Sequence, residues 1–99
     1  MDTTISNPIF TRIASRIIKQ QIIIIGPLAW DEARKVTGLQ IIDQKKGLIL
    51  LEGNPKEVVN SLVGQYSRLF GKISIEACKE AAHELIGELK PDEIPERLK

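Results

Sequence analysis

Cys78 and His83 are the only thiol and the only imidazole in this chain, so a nucleophile with an imidazole base would have to be built from them. They lie in one segment of helical spacing, five positions apart. That separation turns them roughly 140° from each other, onto different faces. They cannot form a nucleophile–base pair within that helix. His83 falls on a polar face with Lys79, Glu80 and Glu84 and reads as solvated, while Cys78 falls on the apolar stripe and reads as a small core residue. A single cysteine also excludes an intrachain disulfide and a multi-cysteine metal cage. Glu80 and Glu84 at four-residue spacing could hold a cation only weakly, and such pairs are ordinary on exposed helices. Neither GxGxxG nor GxxxxGK[ST] occurs, so the usual backbone cradles for nucleotide phosphates are missing. The expectation is a protein with no catalytic residues, no metal and no cofactor, and therefore not an enzyme.

What remains is interaction chemistry. Arg12, Arg16 and Lys19 share a face with no acid among them, and Lys45 and Lys46 sit at a polar tip further on. Such a set can meet phosphates, yet strong nucleic-acid binders make about six to ten phosphate contacts. Base-stacking aromatics are scarce too, because Phe10, Tyr66 and Phe70 all fall on apolar stripes. A solvated basic face is the plainer reading. Trp30 lies at the edge of the Ala29–Ala33–Val36 face, which suggests partial burial. A tryptophan so placed serves either as core packing or as an anchor for another protein. The helix-turn-helix spacing of the last two helices does not favour DNA, because the second one exposes Glu76, Glu80 and Glu84 against Lys79 alone.

Charge is unevenly spread although the net value is +1. Residues 1–30 carry three basic side chains against Asp2, and residues 73–99 carry seven acids against four bases. A basic head and an acidic tail can steer one end against the other, within a chain or between two chains.

The elements that would position these groups are legible from punctuation and period. Asn7-Pro8 opens a helix whose stripe is Phe10, Ile13, Ala14, Ile17 and Ile18. The run Ile22–Ile25 reads either as the continuation of that helix or as a third strand. The helix over 8–25 is preferred, because no turn residue stands between Ile18 and Gly26. Gly26-Pro27 starts a short helix over 27–37, with Gly38 after it. Two β-rich runs, 39–43 and 48–52, flank a tip in which Gly47 takes the positive-φ position of a hairpin loop. Asn54-Pro55 with Glu57 announces a helix over 55–70, closed by Gly71. Ser74 is placed to cap a last helix over 75–90, with Pro91 as its stop.

These 99 residues, 42% apolar and 27% charged, suit one α+β domain of four helices and one hairpin. Residues 1–6 and 91–99 are expected to be flexible or loosely docked. The 55–70 helix is expected to be the central strut, with the hairpin on one side and the last helix on the other. A lone two-stranded ribbon is marginal in water, and Leu48–Leu51 is apolar on both faces. That strand and the long aliphatic first helix both point to a homodimer. No secretory leader and no run long enough to span a bilayer is read, which suggests a cytoplasmic protein. Function is expected to be non-catalytic protein interaction or self-association through Arg12, Arg16, Lys19, Trp30, Lys45 and Lys46. The alternative is a small nucleic-acid-binding regulator that uses the basic face of the first helix.

Overall fold

The computed structural model describes residues 8–99. It consists of helix α1 (Pro8–Ile25), helix α2 (Leu28–Arg34), a hairpin of β1 (Leu39–Asp43) and β2 (Leu48–Leu51), helix α3 (Pro55–Phe70) and helix α4 (Lys72–Ile86). Two single-turn 3-10 helices, Pro91–Glu93 and Glu96–Leu98, complete it. This is the α+β arrangement expected, with one two-stranded antiparallel sheet. The expected cap at Asn7 lies outside the described residues, as does the expected tail at 1–6.

The Ile22–Ile25 run is helix throughout and adds no third strand. Its backbone donors already have partners in the preceding turn, and the helix closes with Gly26 N–H donating to the Ile22 carbonyl at 2.8 Å. Ile22 and Ile25 pack against the core from the helix, so helical burial prevails over the β preference of four isoleucines.

Gly38 is required where it stands. Its φ is 90°, and a Cβ there would lie 2.7 Å from Val58 Cγ2 and 2.8 Å from the Glu52 carbonyl oxygen. The close approach lets Glu52 N–H donate to the Gly38 carbonyl at 2.7 Å, which closes the base of the hairpin. Within the hairpin, Leu39 pairs with Leu51 and Ile41 with Ile49, and Ile42 is bulged out before Asp43 pairs with Leu48. The inner face therefore holds Leu39, Ile41, Ile49 and Leu51, and the outer face Gln40, Leu48 and Leu50.

The start of α3 is as its sequence dictates. The Asn54 side-chain oxygen accepts from the Lys56 and Glu57 amides at 3.0 and 3.3 Å, and Pro55 follows it. The start of α4 is not. Gly71, at φ 73°, turns the chain directly into a helix that begins at Lys72. Ser74 therefore caps nothing and is a buried member of the first turn. The same helix ends at Ile86, ahead of Pro91, through turns at Gly87 and Glu88. Gly87 keeps helical angles, and the chain leaves the helix through tighter bonds, Glu88 N–H to the Leu85 carbonyl and Leu89 N–H to the Ile86 carbonyl.

The C-terminal segment is docked. Arg97 N–H donates to Asn60 Oδ1 at 2.8 Å, Lys56 Nζ donates to the Asp92 carbonyl at 2.6 Å, and Leu98 is buried. The centre of the molecule also differs from the expected one. It is α1, which packs on α4, α3, α2 and β2, whereas the hairpin leans on α1 and α2. Ile13, Ala14, Ile17 and Ile18 are fully buried along its inner face. Eighteen residues of helix, the longest element, offer the most apolar stripe and so collect the most neighbours.

Candidate functional site

The six residues singled out for interaction do not converge. Trp30 is only 8% exposed and belongs to the core, so it is not a surface anchor. The short helix α2 lies flatter on the core than its spacing implied, because Tyr66 Oη donates to the Ala29 carbonyl at 2.7 Å and draws it in. Burial holds the Tyr66 hydroxyl well above its ordinary range, with Cys78 and Glu32 adding to the effect, so it stays a donor.

The basic stripe of α1 is divided. Arg16 Nη1 lies 3.1 Å from Glu84 Oε1, an exposed pair that joins the middle of α1 to the last turn of α4. Arg12 and Lys19 remain on the outer face. The Lys19 side chain reaches the hairpin tip, where a Cβ built on Gly47 would lie 3.7 Å from its Cε. Lys45 and Lys46 are exposed at that tip, where the Lys46 amide donates to Asp43 Oδ1. Lys19, Lys45 and Lys46 are thus brought to one place, while Arg16 is committed to a carboxylate.

Between α1 and α4 runs an open groove of about 500 Å³, lined by Arg16, Glu76, Lys79, Glu80, Ala81, His83 and Glu84. Its walls are solvated charges, and no serine, cysteine or buried carboxylate faces it. Acid–base chemistry needs a group held away from water beside the reacting atom, and this groove has none. Among the described residues no cluster of three metal-ligating side chains forms. Among the described residues no helix is long and apolar enough to cross a membrane.

Cys78 is buried, as expected, and unreactive. Burial pushes its thiol up to about 12, offset in part by the Gln21 amide. That amide belongs to a polar group in the core that the sequence marked only by placing Gln21 on the apolar stripe. Gln21 is fully buried, and its Nε2 donates to the Ser74 carbonyl at 3.4 Å and to Cys78 Sγ at 3.5 Å. Ser74 Oγ donates back to Gln21 Oε1 at 3.4 Å. Three polar side chains satisfy one another there, so only one sliding position of α1 along α4 pairs them all.

Glu32 is the second feature hidden from the sequence. Its carboxylate is covered locally by Gln65, which donates at 2.7 Å, and by Lys35 at 3.1 Å. The Gln65 hydrogen bond and then Lys35 hold the carboxyl below its ordinary 4.5 against the opposing effect of burial. Each of its two oxygens has one of the protein's own donors, and Gln65 ties it to α3, so it serves the α2–α3 joint.

The unsatisfied surface is apolar. Ile23 is 78% exposed and Ile24 45%, and across from them at the start of α4 Ile73 is 75% exposed. Leu28 and Leu69 are exposed at the same end, where the Gln21–Ser74 and Tyr66–Ala29 bonds hold the helix ends together. On the hairpin, Ile42, Leu48 and Leu50 face outward. Single exposed aliphatics are unremarkable, but two groups of them are not. Comparison with protein-family models, curated proteins and solved structures gave no match to this chain.

Proposed function

We propose that this protein is a small non-catalytic interaction module that associates with itself and docks other protein surfaces. One observation carries the reading: among the described residues eight large aliphatic side chains stay exposed, gathered on the α1–α4 end and on the outer face of the hairpin. Covering such groups releases about 25 cal/mol for each Å² of apolar surface. A ribbon of only two strands also gains from a partner on its bare face. The groove between α1 and α4 supplies no buried acid, base or nucleophile, which favours binding over turnover. A cytoplasmic setting belongs to the same proposal, in keeping with a sequence whose one cysteine can form no disulfide within it.

Equilibrium sedimentation tests it. The expected result at roughly tens of micromolar is a mass well above the 11.1 kDa of one chain. A single 11.1 kDa species throughout would remove the self-association.

A second reading, binding of nucleic acid, draws on Lys19, Lys45 and Lys46 gathered at the hairpin tip, with Arg12 on the same helix. Arg16 no longer counts towards it, since Glu84 neutralises it. Anisotropy of a labelled duplex decides the matter, because genuine binding must weaken steeply with salt.

A further inference from the structure

The exposed surface of α1 and α4 has a built-in order. Gln21 meets Ser74 and Cys78, and Arg16 meets Glu84, so the two helices run antiparallel, side by side. By that register Ile23 and Ile24 lie level with Ile73, and Lys19 lies level with Glu80. On α1, Lys19 and Ile23 are one turn apart and share the outward face, and on α4 Ile73 and Glu80, two turns apart, share theirs. The outer surface of the pair is thus an apolar end followed by a charged length, basic on α1 and acidic on α4.

We infer that this two-helix face is the surface by which two copies of the chain associate, with the outer face of the hairpin, Leu48 and Leu50, left outside the contact and the hairpin tip at its rim beside Lys19. A two-fold axis parallel to the helices, running between two such faces, sets α1 of each copy across α4 of the other at the same height. Ile23 then meets Ile73 of the partner subunit, and Lys19 meets Glu80 of the partner subunit, each contact occurring twice. Among the described residues neither Lys19 nor Glu80 has an ion-pair partner within its own chain. The charge pattern is what selects a second copy over an arbitrary apolar partner, because the surface is complementary to itself. The opposite stacking, α1 on α1, would set Lys19 against Lys19 and is disfavoured. This inference depends on the self-association proposed above and names its surface.

Sedimentation velocity over a concentration series, at low and at raised salt, tests it with surface variants whose folding is checked by urea denaturation. Ile23→Asp and Ile73→Asp should each abolish the dimer while the denaturation midpoint stays near that of the parent. Lys19→Glu and Glu80→Lys should each raise the dimer dissociation constant about tenfold, since like charges then face one another. The combined Lys19→Glu, Glu80→Lys chain should return most of that loss, and salt should weaken the parent dimer. A dimer that survives the isoleucine variants but is lost with Leu48→Lys or Leu50→Lys would overturn the inference and leave self-association standing. Reversals that fail to rescue one another would overturn the stacking proposed. A parent chain that never dimerises would overturn both.

Discussion

Helix α1 uses isoleucine in two opposite ways within a few turns. Ile13, Ile17 and Ile18 are fully buried, whereas Ile23, in the same helix, is 78% exposed. The residue type is the same and the backbone is the same, so neither composition nor propensity distinguishes them. What differs is the neighbour. Ile13, Ile17 and Ile18 stand on the face of α1 that α3, α4 and β2 cover, whereas Ile23 shares the outward face with Lys19. The first set holds the fold together. The second holds nothing within its own chain and is available to another. Burial is a property of what is packed on a residue, and an aliphatic left bare by its own fold is a statement about partners.

Substitutions that break this contrast should separate stability from association. Ile17→Ala should have the largest effect on folding, about 2–5 kcal/mol in urea denaturation, from lost burial and the cavity left behind. Gln21→Ala comes next, at about 1–3 kcal/mol, because Ser74 and Cys78 lose their buried partner. The same variant sharpens the contrast if it also loosens the register of α1 on α4, seen as weaker amide protection in both helices.

Acid reveals a smaller contribution. The Glu32 carboxyl is held below 4.5 in the folded chain, so its stabilisation is present above that value. It is lost as pH falls from 4.5 through the lowered folded value. In Glu32→Gln that segment of the stability–pH curve should flatten. Smallest for the isolated fold is Ile23→Ala, within about 0.5 kcal/mol of the parent once association is accounted for. If Ile23→Ala instead costs as much as Ile17→Ala in dilute solution, the two isoleucines do the same job and the contrast fails.

The sequence disclosed the elements better than their neighbours. Asn54-Pro55 and Gly26-Pro27 are local signals, satisfied by amides and φ angles within a few residues, and the helices follow them, whereas the need for Gly38 comes from Glu52 and Val58 further along. Ser74 misled because a serine ahead of an apolar run looks like a cap. Gly71 had already turned the chain, and the hydroxyl was needed by Gln21, distant in sequence. Trp30 was placed at an edge because spacing shows the angle around α2 but not how deeply Tyr66 and Ala29 draw that helix in. The basic stripe was visible, while the carboxylate that divides it at Arg16 lies on another helix. Ile23 and Ile24 were legible as apolar, and only the packing shows that nothing covers them.

The most direct test of the central claim is the thermal midpoint of the parent chain measured over a wide range of protein concentration, beside Ile23→Asp. A ligand that binds only the folded state raises the midpoint by mass action, and a second copy is such a ligand. The expected result is a midpoint that climbs with concentration in the parent and stays level in Ile23→Asp, with the two converging at high dilution. A level midpoint in both, or a variant that melts lower at every concentration, would contradict the division of α1 into a part that folds the chain and a part that joins it to another.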